Sequence, residues 1–215
     1  MQSKNNALII GKTFEYIDSY AALFQNASLI IVLDSAIQFF VRNPHFPIKP
    51  HVLLGDFDRE IDLPNLQLQL PQLQIVHTPD QNKTDFEKAL EYIIAKGIKK
   101  IIGLGLTGKR MDHTFNNISS LAKFNDEAYI QIIDAHSIIE CISRSYSKVH
   151  NKDTIISLLP LGETNGIITK NLHYPLTNET LALGKRTGSS NVVKEDGEVV
   201  ITIGKGKLIV MECWD

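Results

Sequence analysis

Five short apolar runs, set apart by polar or amphipathic stretches, restrict this chain more than any other feature of its 215 residues. They are Ala7–Ile10, Leu29–Leu33, His51–Leu54, Leu73–His77 and Lys100–Leu104. A strand that is apolar at consecutive positions has both faces covered, as in a parallel sheet flanked by helices. The intervening segments supply those helices. From Thr84 to Lys96, Phe86, Ala89, Leu90, Ile93 and Ile94 share one helical face. That segment opens with Thr84-Asp85-Phe86-Glu87, a capping box in which Thr84 and Glu87 each satisfy an orphan amide. A second helix is expected from near Asp112, with Phe115, Ile118, Leu121 and Ala122 on its apolar face.

The pattern changes after about Asp126. Short β-rich runs follow at Ile130–Ile133, Ile138–Ile142, Thr154–Leu158, Val199–Ile203 and Lys207–Met211, with no helical periodicity. Turn signals punctuate them at Gly162, Asn165-Gly166, Asp196-Gly197 and Gly204-Lys205-Gly206. The expected fold class is therefore α/β: an N-terminal domain over residues 1–126, its parallel sheet flanked by helices, followed by a smaller all-β sandwich domain over residues 127–215.

Composition narrows the function classes. A hydrophobic fraction of 43% and a charged fraction of 21% are ordinary for a globular protein and argue against disorder. A formal net charge of −2 gives no broad basic field, so neither nucleic acid nor an anionic membrane is expected as a partner. Phosphate binding, if present, must be local. The two cysteines, Cys141 and Cys213, lack metal-site spacing and suit a reducing compartment. No apolar run approaches the ~18 residues needed to span a bilayer. A soluble, cytoplasmic protein is the expectation.

Ligands of open α/β sheets bind at the carboxyl ends of the strands. Those positions here are acidic: Asp34 after the second run, Asp56 and Asp58 after the third, Asp80 and Asp85 after the fourth, Asp112 after the fifth. Carboxylates crowded on one edge repel one another, and a divalent cation relieves that repulsion. In an extended segment the side chains of Asp56 and Asp58 project to the same side, within reach of one Mg²⁺, which joins one or two carboxylates to substrate phosphates. Any single one of these aspartates also fits a loop or capping role, and Asp85 fits a first-turn residue favoured by the helix dipole. Four converging positions favour metal and phosphate.

The segment Gly103-Leu104-Gly105-Leu106-Thr107-Gly108-Lys109-Arg110 imitates two nucleotide motifs. A Walker loop would place Ser or Thr where Arg110 stands, and a dinucleotide fingerprint would follow the first strand rather than the fifth. What remains is a glycine loop ending in two cations, Lys109 and Arg110, able to hold phosphate oxygens or simply to be solvated.

Three motifs in order then resemble the thiamine pyrophosphokinase family: Gly55-Asp56-Phe57-Asp58, Asp80-Gln81-Asn82-Lys83-Thr84-Asp85-Phe86 continuing to Ala89-Leu90, and Gly105-Leu106-Thr107-Gly108-Lys109-Arg110-Met111-Asp112-His113. The second half is similar in Ser157-Leu158-Leu159-Pro160, Asn171-Leu172-His173-Tyr174-Pro175-Leu176 and Gly188-Ser189-Ser190-Asn191. The chain departs from the family in three places. Asp34-Ser35-Ala36 stands for Asp-Gly-Gly, Arg59 for the usual serine, and Leu208-Ile209-Val210 where some relatives have a tryptophan.

The resemblance implies transfer of pyrophosphate from ATP to the hydroxyl of thiamine, in a homodimer whose active site is shared between subunits. It implies Asp56, Asp58 and Asp85 as ligands of Mg²⁺. Asp34, Gln81, Thr84, Lys109 and Arg110 would serve ATP and its phosphates, with Asp112 completing the catalytic set. Gln81, Ser190 and Asn191 would face thiamine, and either Asp112 or Asp85 would take the hydroxyl proton. The rivals are a pyrophosphokinase for another hydroxymethyl heterocycle, such as a pterin, and a non-catalytic nucleotide-sensing dimer of the same fold. A nicotinamide oxidoreductase would rest on the glycine pattern alone and leaves the carboxylates unexplained.

Overall fold

The computed structural model describes residues 5–57 and 61–214. The chain divides into two compact units. One unit comprises residues 1–120 and 127–130, the other residues 121–126 and 131–215.

In the first unit, β1 (Asn6–Ile10), β2 (Leu29–Leu33), β3 (Val52–Gly55), β4 (Gln74–His77) and β5 (Lys100–Leu104) run in the spatial order β5-β1-β2-β3-β4. Every pairing among them is parallel. Parallel neighbours need a crossover, and those between successive strands carry α1 (Ala21–Asn26), α2 (Gln38–Arg42), α3 (Leu63–Gln69) and α4 (Asp85–Ala95). The helix α5 (Met111–Phe124) follows β5. Ile9, Ile10, Ile31, Val32, Leu53 and Leu54 are fully buried, as unbroken apolar runs require. The α4 helix packs across β1, β2 and β3 through Phe86, Ala89, Leu90 and Ile93. Its amino end carries the capping box: the Thr84 hydroxyl accepts from the Glu87 amide while the Glu87 carboxylate accepts from the Thr84 amide.

Helix α5 departs from expectation. Phe115, expected on the buried face with Ile118, Leu121 and Ala122, is exposed. The buried face instead carries Thr114, Asn117 and Ser120 beside Leu121 and Phe124. Hydrogen bonding decides this orientation. Asn117 donates to the Leu106 carbonyl at 2.7 Å and Ser120 to the Asn116 carbonyl at 2.8 Å, so these polar side chains are satisfied when buried.

In the second unit, β7 (Ser137–Ile142), β14 (Leu208–Cys213), β9 (Ile155–Pro160) and β12 (Gly188–Val192) pair antiparallel. A four-stranded sheet holds β8 (Ser145–His150), β13 (Gly197–Thr202), β10 (Glu163–Lys170) and β11 (Thr177–Ala182), also antiparallel. The remaining strand, β6 (Tyr129–Ile133), pairs with β7. Side chains from both sheets, among them Ile156, Leu158 and Val210 from one and Tyr146, Ile167 and Ile201 from the other, form one buried cluster. Among the described residues no helix follows α5 and none is long and apolar enough to cross a membrane. Cys141 is buried, which pushes its thiol up to about 11, so it behaves as a small apolar residue.

Candidate active site

The carboxyl ends of β2, β3 and β4 bring three of the predicted acids into one field. Asp34 opens the 3-10 turn Asp34–Ile37 after β2 with φ of 42°, and Asp56 follows β3 directly. The turn packs against β3 where Gly55 has no side chain: a Cβ there would lie 3.2 Å from the Asp34 Cβ. Asp85 starts α4, half-buried. Burial raises its carboxyl above the ordinary value, Lys88 opposes the shift, and the charges of Asp56 and Asp34 add to it. Asp85 therefore feels the charges of both Asp56 and Asp34.

Asp58 and Arg59 lie outside the described residues. The extended geometry expected between Asp56 and Asp58 does not hold at the residue between them. Phe57 is left-handed, with φ of 53°, so the backbone leaves the extended region there. The Phe57 ring stacks on His77, whose Nε2 lies 3.1 Å from the Asp56 carbonyl oxygen.

Around this field several oxygens are buried without a hydrogen-bond partner among the described residues: Asp34 Oδ1, Ser35 Oγ and Thr78 Oγ1. Such groups are costly unless a ligand or water satisfies them, at about 1–3 kcal/mol each. The donor set, all hard oxygen, suits Mg²⁺. Among the described residues no three His, Cys, Asp or Glu side chains close around one point. Ser35 stands out in the sequence only as a departure from the family's glycine, and Thr78 not at all, because an isolated hydroxyl carries no periodic or motif signal.

The other expected residues fall as follows. Gln81 donates from Nε2 to Asp56 Oδ2 at 2.9 Å, tying the loop after β4 to the acid after β3. Thr84 is occupied as the α4 cap. Lys109 and Arg110 are exposed, and Arg110 forms a two-point pair with Asp112, its Nε donating to Oδ1 at 3.1 Å and its Nη2 to Oδ2. The guanidinium holds the Asp112 carboxyl at about 2. Lys109 is left-handed at φ of 51°, completing a turn with Gly108 at φ of 83°.

Gly105 has a packing role. A Cβ on it would lie 2.6 Å from the Phe14 Cα, and the Thr13 amide donates to its carbonyl at 3.1 Å. The loops after β1 and β5 thus meet backbone against backbone.

Ser190 is exposed at φ of 55° in a bulged stretch of β12, with its amide donating to Ser157 Oγ at 2.9 Å. Asn191, expected to face thiamine beside Ser190, is engaged elsewhere. Its side chain is buried; Oδ1 accepts from the Tyr174 amide at 3.0 Å and Nδ2 donates to the Tyr174 carbonyl at 2.7 Å. Its amide group braces the loop of Tyr174. Asn191→Ala leaves both Tyr174 groups unpaired and is expected to lower the unfolding free energy by about 1–3 kcal/mol. The measurement is a urea midpoint at constant m-value; an unchanged midpoint would show that water takes over both bonds.

The family model for the thiamin pyrophosphokinase catalytic domain matches residues 20–133, and that for the thiamin pyrophosphokinase vitamin B1 binding domain matches residues 142–208. The chain belongs to the thiamin pyrophosphokinase family. It is 25% identical to thiamin pyrophosphokinase 1 of Caenorhabditis elegans over 183 residues, covering 80% of this chain and 74% of that protein. It is 28% identical to the thiamine pyrophosphokinase of Bacillus subtilis over 175 residues, covering 78% of this chain and 80% of that one. The crystal structure of thiamine pyrophosphokinase from Bacillus subtilis shares the fold with a TM-score of 0.83 at 24% identity, over 98% of this chain and 99% of that one.

Proposed function

We infer that the chain transfers the pyrophosphate group of ATP to the hydroxyl of thiamine, giving thiamine diphosphate and AMP. The observation that carries this reading is the match of both family models, catalytic and vitamin B1 binding, to successive stretches of the chain. The acidic field adds to it. Asp56 and Asp85, with Asp58 beyond the described residues, would hold Mg²⁺ beside Asp34. When bound, Mg²⁺ neutralises phosphate charge and orders the triphosphate.

The chain's own groups then do the positioning on which phosphoryl transfer depends. Gln81 holds the Asp56 carboxylate in place. Asp112 orients the Arg110 guanidinium, whose remaining N–H groups would bind phosphate oxygens and offset charge on the leaving group. A carboxyl held at about 2 is a poor proton acceptor, so orientation of Arg110 is the role that fits Asp112. Lys109 adds a second exposed cation beside it, and Ser190, exposed on β12 together with Ser189, would contact thiamine. The same reading makes the protein a cytoplasmic homodimer with its active site shared between subunits.

The test is incubation of the purified chain with thiamine, ATP and Mg²⁺, scored for AMP and thiamine diphosphate. Both products should appear together and both should vanish with excess EDTA. AMP release with a hydroxymethyl pterin but not with thiamine would move the acceptor. ATP binding without AMP from either acceptor would make the chain a nucleotide sensor.

A further inference from the structure

The fold buries one lysine beside the acidic field, and the roles assigned above do not use it. Lys88 lies on the second turn of α4 with its side chain 6% exposed. Lysine is almost never buried unless its charge is compensated. Here the ammonium donates to the Thr78 carbonyl at 2.8 Å and to Asp85 Oδ1 at 3.2 Å. One bond reaches along the helix; the other crosses to the loop leaving β4, ten residues back. The same loop carries the unpartnered Thr78 Oγ1. Lys88 therefore joins the first turn of α4 to the loop that borders the acids.

An ordinary helical ion pair at this spacing is exposed and adds a few tenths of a kcal/mol. Burial, and a second bond to the backbone of another element, set this pair apart. We propose that Lys88 is a positioning residue for pyrophosphate transfer: its ammonium fixes one oxygen of Asp85, turns the other toward the substrate side, and serves as the built-in counter-charge of Asp34, Asp56 and Asp85. This rests on the function proposed above. Without the ammonium, Asp85 faces two like charges with no fixed partner, and the carboxylate loses its orientation. A misplacement on the order of 1 Å at such a site lowers rates by about a hundredfold.

The test compares the full-length chain with Lys88→Met, Lys88→Gln and Lys88→Arg. Glutamine keeps a donor for the Thr78 carbonyl without the charge; arginine keeps the charge. For Met and Gln, kcat should fall about hundredfold while the KM for thiamine stays within about twofold, and Arg should recover about tenfold of that loss. A second readout needs no turnover: the rise in melting midpoint produced by Mg²⁺ alone should be larger in Met and Gln than in the parent, because the cation replaces the missing charge. A kcat within about threefold of the parent in Met and Gln, with midpoints lowered equally with and without Mg²⁺, would reduce Lys88 to a structural residue and overturn the proposal. If Lys88→Met does not fold, the Arg and Gln variants decide, and equal kcat in those two overturns it. If the parent makes no thiamine diphosphate, the proposed function fails by itself, and the Mg²⁺ melting comparison still judges Lys88.

Discussion

Asp56→Asn should lower kcat/KM for thiamine diphosphate formation by about a thousandfold while leaving the melting midpoint unchanged or higher. The substitution is nearly isosteric, and an asparagine carbonyl can still accept the bond that Gln81 donates to Asp56. What it removes is a charge. In the folded protein that charge works against stability, since Asp56 helps raise the half-buried carboxyl of Asp85 above its ordinary value. In catalysis the same charge would hold the cation that neutralises the phosphates, a contribution of several kcal/mol. A thousandfold loss corresponds to about 4 kcal/mol of transition-state stabilisation. Stability and activity thus move in opposite directions, as at sites kept strained for function. AMP formation titrated against Mg²⁺, paired with thermal melts, measures both. Near-parental activity at low Mg²⁺ would remove Asp56 from the metal site.

Gly105→Ala has the largest expected effect on stability. Its φ of 67° is strained for any residue with a Cβ, at about 1–2 kcal/mol. The added methyl would also meet the backbone of Phe14, with the Cα at 2.6 Å, and overpacking against an atom that cannot rotate away costs about 1–3 kcal/mol more. Together these lower the unfolding free energy by roughly 2–5 kcal/mol, a large part of the 5–15 kcal/mol typical of a domain. Gly108→Ala is the control. It is equally left-handed, at φ of 83°, but a Cβ there meets nothing within 4 Å, so only the strain applies. Urea unfolding of the two variants separates clash from strain; equal midpoints would mean that the loops after β1 and β5 part easily.

The residues that could be read in advance are those whose neighbours in sequence are also their neighbours in space. Leu29–Leu33 and Lys100–Leu104 are strands with the bounds expected of them, because a run of consecutive buried positions has few alternatives in water. The start of α4 was legible for the same reason: a capping box is complete within Thr84 to Glu87. Where pairing partners are distant, the pattern was weaker. Strands β8, β10, β11 and β12 carry serine, threonine, asparagine and glycine, and only their sheet partners make them strands.

By itself the sequence determined a parallel α/β first half, a β-rich second half, and acids at the carboxyl ends of the strands, since each follows from periodicity and order along the chain. The tertiary structure alone decided which groups each side chain meets. It turned the Phe115 face of α5 outward because Asn117 found the Leu106 carbonyl. It paired Asn191 with the Tyr174 backbone and placed Gly105 against Phe14. It also sank the Lys88 ammonium between Asp85 and Thr78. Hydrogen bonds and close contacts between segments far apart in sequence depend on three-dimensional proximity, which no local pattern of residues encodes.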